Sequence, residues 1–276
     1  MPNWVMNKLE AQTSPKRYRQ ICEFVKSDEN DFDFEKIIPM PDDVKHLAEE
    51  SWNDFFRKLY LTYFNEEIIP DFEFVSQPKN MSDEQAKSVF TWFTNRELKD
   101  ARCMIESHLK RDNAPSWMLD MIRDKENVTD IEVVKVALQY GLKYEYNRLM
   151  YGFETWYGWS IEYWGTKWNA VNSFILENFG QWKFETAWAA PIPVIRTLSM
   201  IFPDVTFTLE YADEDIGNNC GVIEFKDGTE KMTFGEGCTV ESRIEFALRL
   251  WDIDKDEWKK EMRLSEMRCT YARRIQ

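Results

Sequence analysis

The sequence predicts an α+β protein that combines an antiparallel sheet with a helical lobe. Three observations carry this expectation. Residues 1–41 read as strand, helix, strand; residues 42–150 have helical periodicity and few glycines; residues 151–276 return to β patterns in the order strand, helix, three strands, helix. The division expected is an N-terminal β-α-β unit packing on the sheet (1–41), a helical lobe inserted on that platform (42–150) and a C-terminal β-rich domain with a helical tail (151–276). At 276 residues the chain exceeds the ~100–200 residues of a usual domain, so one elaborated domain and two smaller ones both fit.

The elements follow in order. WVMNKLEAQ (4–12) mixes β-formers with partial alternation and reads as a strand. In SPKRYRQICEFVKS, Ser14 is placed to cap a helix, Pro15 takes the first helical position, and Tyr18, Ile21, Cys22 and Val25 share a face. DFDFEKII (31–38) alternates Phe32 and Phe34 with acids and stops at Pro39, which predicts a second strand. Helix entries follow at Ser82 (SDEQ) and at Thr129, where Glu132 completes a capping-box pattern. Breaks are expected near 70–74, 113–116 and 140–143, the last at Gly141.

WYGWSIEYWGTKWNA (156–170) reads as a strand with large rings on both faces. Trp156, Trp164 and Trp168 fall on one side, and Tyr157, Trp159, Tyr163 and Lys167 on the other. Two uses compete. The rings fill a core between sheet, helices and lobe, or Trp159, Trp164, Lys167 and Trp168 form a platform on which nucleobases stack. NSFILENFG predicts a short helix. QWKFETAWAAP (181–191) is a strand with Trp182, Phe184, Thr186 and Trp188 on one face, and IPVIRTLSMIFP is a helix. VTFTLEYADED, CGVIEFKDG and TEKMTF are strands, with a hairpin turn at Asp227–Gly228. Thr239 caps a final helix. This order resembles a ferredoxin-like split β-α-β arrangement with a hairpin extension.

MPNWVMNKL, DFEKIIPMP, YGFETWYGWSIEYWGTKWNA and FETAWAAPIPVIRTLSMIFPDVTFTLEY together resemble the YubB-type (Api-type) proteins of conjugative plasmids and bacteriophages. The resemblance implies a mobile-element origin and a C-terminal ferredoxin-like region. It touches both ends and the centre, least in 42–150, and carries over no reaction and no catalytic residue. Tyr163 departs from the asparagine common there in the family.

A formal charge of −14 opposes general affinity for polyanions, because nonspecific nucleic-acid binding needs lysine and arginine to neutralise phosphates. The acids concentrate at 28–35, 42–50 and 210–215, while the last segment is net basic. A solvated surface is the plain reading of those tracts. The sharper one is that spaced carboxylates imitate a phosphate backbone and occupy a basic groove. The expectation is therefore a non-enzymatic phage or plasmid protein that binds and inhibits a host protein with a basic surface, a component of a nucleic-acid-targeting defence. Its contact set would be Asp28, Glu29, Asp31, Asp33, Asp42, Asp43, Asp213, Glu214 and Asp215. The alternative is a single-stranded nucleic-acid binder using the aromatic platform and the basic tail. A tautomerase-like enzyme with Pro2 as base, and Arg17 or Arg19 as a carboxylate clamp, is a minor third.

Other chemistry lacks its signatures. The five cysteines (Cys22, Cys103, Cys220, Cys238, Cys269) are odd in number and without a CxxC pair, so reduced thiols are expected and zinc is not. The two histidines, His46 and His108, stand without neighbouring ligand patterns. Asp252, Asp254 and Asp256 begin like a calcium loop, but Glu257 replaces its glycine and Arg263 its final glutamate. No phosphate loop or nucleophile elbow occurs, so no cofactor is expected. The apolar runs are too short to span a bilayer, and the N-terminus lacks a secretory pattern, which predicts a cytoplasmic protein.

Overall fold

The computed structural model describes residues 3–45, 47, 51–62, 81–111, 116–176 and 180–260. The chain divides into two compact units, Met1–Met40 with Ser160–Gln276, and Pro41–Trp159. Among the described residues no helix is long and apolar enough to cross a membrane.

The first unit is built on a six-stranded sheet in the order β2-β3-β1-β4-β5-β6, antiparallel throughout. Strand β1 (Trp4–Gln12) alternates buried and half-buried residues, so that Val5, Leu9 and Ala11 face one core. Helix α1 (Pro15–Val25) starts where expected: the Ser14 hydroxyl accepts from Arg17 N–H at 3.3 Å, and Tyr18, Ile21 and Val25 are buried. The unit resumes with β2 (Val171–Ile175), β3 (Gln181–Ala187), α9 (Ile192–Ile201), β4 (Thr206–Asp213), β5 (Cys220–Lys226), β6 (Thr229–Phe234) and α10 (Val240–Leu250). Strands β4, β1, β3 and β2 lie side by side, with α1 leading from β1 towards β2 and α9 from β3 to β4. That is the ferredoxin-like split β-α-β arrangement, extended by the β5–β6 hairpin. The hairpin turns at Asp227 (φ +48°) and Gly228 (φ +74°), the left-handed pair a tight two-residue loop needs. Helix α10 covers the sheet face that carries Met6 and Ala212.

Strand β1 corrects one expectation. Residues 4–12 do not pack on the sheet; they lie inside it, with Trp4 opposite Ala187 of β3 and Val5 opposite Asp213 of β4. Strands β3 and β4 run parallel to each other, and the N-terminal strand lies between them, antiparallel to both. Residues 31–38 correct a second. They form no strand, and Phe34–Lys36 is a 3-10 turn capped by Asp33. Their backbone N–H groups go to side chains instead of a ladder: Asp31 and Phe32 donate to Ser173 Oγ at 3.0 and 3.3 Å, and Phe34 to Asn169 Oδ1 at 2.9 Å. Phe32 and Phe34 are still fully buried, Phe32 stacked on Phe184 at 4.9 Å. Alternation reported burial correctly while the hydrogen bonds decided the conformation.

The aromatic stretch is a third correction. Residues Trp156–Trp164 form helix α8, not a strand, and burial recurs at Thr155, Trp159, Ser160 and Trp164, a helical spacing. Aromatic β-propensity yields to packing here. The expected helix in NSFILENFG is instead β2, an edge strand of the sheet.

The second unit is helical: α2 (Asp42–Lys45), α3 (Ser51–Thr62), α4 (Asp83–Thr94), α5 (Ala101–Arg111), α6 (Ser116–Arg123), α7 (Asp130–Tyr151) and the start of α8. Both capping boxes form, at Ser82 with Gln85 and at Thr129 with Glu132. Its core gathers Phe56, Leu59, Phe90, Ile105, Val134 and Leu138. Helix α7 passes without interruption through Gly141, where a break was expected.

Candidate binding site

One end of the sheet concentrates polar and aromatic groups. There β3 stops at Ala187, β1 begins at Trp4, β4 stops at Asp213 and β5 begins at Cys220. Trp188, the first residue past β3, has φ +74°, a left-handed conformation that is a genuine outlier for a bulky side chain. Neighbours hold it there. Its N–H donates to Asn3 O at 2.8 Å, and its carbonyl accepts from Asn219 Nδ2 at 3.2 Å. The preceding carbonyl, of Ala187, accepts from Thr166 Oγ1 at 2.6 Å.

Asn219 links this turn to the acidic loop, because the same amide donates to Asp213 Oδ2 at 3.2 Å. Asp213 is buried, and its other oxygen accepts from Asp215 N–H at 2.8 Å and Asn3 Nδ2 at 3.4 Å. Glu214 is tied at its backbone, its N–H donating to Trp4 O at 2.9 Å, while its carboxylate accepts from Trp4 N–H at 3.1 Å. Buried Asp213 thus organises the loop, and Glu214 and Asp215 are exposed beside it. Above the turn, Lys167 Nζ lies 4.8 Å from the ring centroids of both Trp168 and Trp188, and Trp168 lies 5.9 Å from Trp4. Trp188 remains 40% exposed.

The expected acidic contact set is divided between the two units, with Asp42 and Asp43 in the helical one. Asp28 and Glu29 are exposed in the loop after α1, and Asp31 pairs with Lys26 at 2.7 Å. Asp33 is buried and works structurally: it accepts from Asn169 Nδ2 at 2.7 Å and Glu35 N–H at 2.9 Å. Asp42 and Asp43 open α2 in the helical unit, where Asp43 O accepts from Asn147 Nδ2 at 2.8 Å and its carboxylate accepts from Tyr151 OH at 3.2 Å. Of the seven in the sheet unit, Glu214 and Asp215 are exposed at the sheet end, with Asp213 beneath them. The aromatic platform is likewise corrected. Trp159 and Trp164 are 4% exposed each, and Trp164 donates its indole N–H to Ile38 O at 2.9 Å, so neither offers a face for stacking. Lys167 and Trp168 do reach the site. The sequence marks Trp188 only as a strand residue, whereas the Asn218-Asn219 pair ahead of a strand is a local signal for left-handed backbone.

Pro2, His46 and the tail beyond residue 260 lie outside the described residues. Arg17 already binds Asp204 through two nitrogens, at 3.0 and 2.6 Å. Among the described residues no group of three or more His, Cys, Asp or Glu side chains converges as a metal site.

Residues 163–254 match the family model described as the ferredoxin-like domain in Api92-like protein. This segment is similar to the ferredoxin-like domain of Api92-like proteins. The match takes in β2 to β6, α9 and α10, and with them Lys167, Trp168, Trp188, Asp213, Glu214, Asp215 and Asn219. The matched segment stops short of β1 and α1, so its sheet is completed by residues from the far N-terminus. The crystal structure of Api92 from Yersinia pseudotuberculosis is similar over 87% of this chain and 100% of that chain, at 11% identity and a TM-score of 0.37. No curated protein matches the sequence.

Proposed function

We propose that this is a non-enzymatic binding protein of a phage or plasmid that engages and inhibits a host protein with a basic surface, a component of a nucleic-acid-targeting defence. One observation carries the reading. Trp188 is held in a strained left-handed turn, half exposed, and anchored through Asn219 to the loop that presents Glu214 and Asp215. Backbone strain of this kind costs about 1–3 kcal/mol and gathers where a side chain must be presented. Tryptophan anchors are over-represented among the residues that dominate protein interfaces, and carboxylates beside one favour a lysine- or arginine-rich partner. A net charge of −14 adds long-range attraction towards such a surface.

The test is capture of the tagged protein from bacterial lysate with and without nuclease, repeated with Trp188→Ala and with the pair Glu214→Lys and Asp215→Lys. A stoichiometric protein partner that survives nuclease and is lost with either variant supports the reading. Recovery of nucleic acid, or of partners that vanish with nuclease, overturns it. That outcome would favour the second reading, single-stranded nucleic-acid binding, for which the observation is Lys167 seated between Trp168 and Trp188. Binding of that kind weakens steeply with salt.

A further inference from the structure

The helical unit holds a charged site of its own. A cavity of about 340 Å³ lies where α7 gives way to α8, lined by Arg148, Gly152, Phe153, Glu154, Thr155 and Gly158. This is the lower end of the size range of small-molecule pockets. Two of its lining residues, Arg148 and Glu154, join a charge network with Arg57, Asp54 and Glu145. Arg57 lies 3.4 Å from Asp54, 3.4 Å from Glu145 and 2.7 Å from Glu154. Arg148 spends its fork on Glu145, with Nε at 3.0 Å and Nη2 at 2.5 Å.

Those contacts leave the carboxylates unequally served. Glu145 receives hydrogen bonds from both arginines, and they hold its carboxyl below the usual glutamate range, the Arg148 bond contributing most. Glu154 has among the described residues one cation within 4 Å, Arg57. The Nε of Arg57 does not aim an N–H at it, since that nitrogen makes no hydrogen bond. Burial pushes the Glu154 carboxyl up despite this neighbour. A half-buried carboxylate on a cavity wall therefore has the Arg57 cation beside it but no directed donor from it, while the Arg148 fork is spent on Glu145. An anionic ligand is disfavoured for the same reason, because the Arg148 fork is occupied. The remaining walls are Thr155, the backbone at Gly152 and Gly158, and the Phe153 ring, which suits an apolar stem and, over its face, a cation.

We propose that this cavity binds an organic cation, an alkylammonium or guanidinium group that donates to Glu154 while its stem lies along Phe153. The group can belong to a free amine or to a lysine or arginine side chain.

Isothermal titration of the full chain with butylammonium and with methylguanidinium tests this, alongside n-butanol and an acetylated, amidated lysine peptide. The expected result is saturable one-to-one binding of a cation, no saturable heat from n-butanol, and at least tenfold weaker binding in Glu154→Gln. Gly158→Ala supplies a second, charge-neutral variant: its new Cβ would stand 2.8 Å from Phe153 Cδ1, driving the ring from its place and weakening binding similarly. Binding of the peptide but not of the free amines, with the same dependence on Glu154, assigns the site to a side chain of a partner. The proposal is overturned if neither free cation nor peptide titrates, if n-butanol binds as well as butylammonium, or if Glu154→Gln, folded as judged by its melting curve, binds unchanged.

Discussion

Gly141 of α7 lies so close to Phe56 of α3 that a Cβ placed on it would stand 2.1 Å from the Phe56 carbonyl oxygen and 2.6 Å from Tyr60 Cβ. Both obstacles belong to or sit next to backbone, so neither can swing aside. The two helices approach at this point because residue 141 has no side chain. Gly141→Ala is therefore expected to lower the stability of the helical unit by about 1–3 kcal/mol, the usual penalty of overpacking, although alanine is the better helix former. Urea unfolding checks it. A variant as stable as the parent would show that α3 and α7 do not meet as described.

Trp188 should behave in the opposite way. A left-handed backbone costs a non-glycine residue roughly 1–2 kcal/mol, and asparagine adopts it more readily than tryptophan. The ring's cation contact with Lys167 and its partial burial return part of that sum. Trp188→Asn is thus predicted to fold within about 1 kcal/mol of the parent, or more stably, while losing the captured partner. Chemical denaturation run beside the capture experiment reads both. Loss of stability together with binding would mean that the indole serves the core.

How far the sequence reveals this molecule depends on which force set each element. Helix caps at Ser14, Ser82 and Thr129 are local chemistry, and all three form as the residues imply. The strands from Gln181 to Phe234 were legible for the same reason, since alternation and the Asp227–Gly228 turn are short-range signals. Residues 31–38 failed because their donors found Ser173 and Asn169, about 135 residues away and invisible to any window. Gly141 reads locally as a break, but its role is set by a distant neighbour, Phe56. The site was half legible: Glu214, Asp215, Lys167 and Trp168 were named for their chemistry. Trp188 owes its role to a backbone angle that Asn3 and Asn219 enforce, and charge counting cannot find it.

Asp213 separates structural from surface acids. Its carboxylate accepts from Asp215 N–H, Asn219 and Asn3, and it is 5% exposed. Asp213→Ala should cost about 1.5–3 kcal/mol, because hydrogen bonds to a buried charge are lost and their donors stranded. Asp215→Lys, exposed, should stay within about 0.5 kcal/mol of the parent, and Glu214→Lys, which gives up one exposed hydrogen bond from Trp4 N–H, should cost no more than about 1 kcal/mol. Unfolding curves of the three variants test the contrast, and equal losses would show that the loop is not built around Asp213.

Glu145 and Glu154 share Arg57 but should push stability in opposite directions with pH. The Glu145 carboxyl sits below its ordinary value, chiefly through the Arg148 hydrogen bond, so the folded protein favours its ionised form. Its stabilising contribution is complete above the unfolded value of about 4.3 and is lost as pH falls through the depressed folded value. The Glu154 carboxyl is raised by burial, so the folded protein favours the protonated form. Ionising it weakens folding as pH climbs from about 4.3 through the raised folded value, and the penalty is complete above that. Glu145→Gln is accordingly predicted to lower the melting temperature at neutral pH and to reduce the further loss on acidification. Glu154→Gln should raise the melting temperature at neutral pH and change it little below about pH 4, where both forms are neutral. Thermal unfolding of the parent and the two variants from acid to neutral pH decides the matter. If both substitutions destabilise alike at neutral pH, Glu154 has a directed cationic partner after all, and the cavity beside it is not waiting for one.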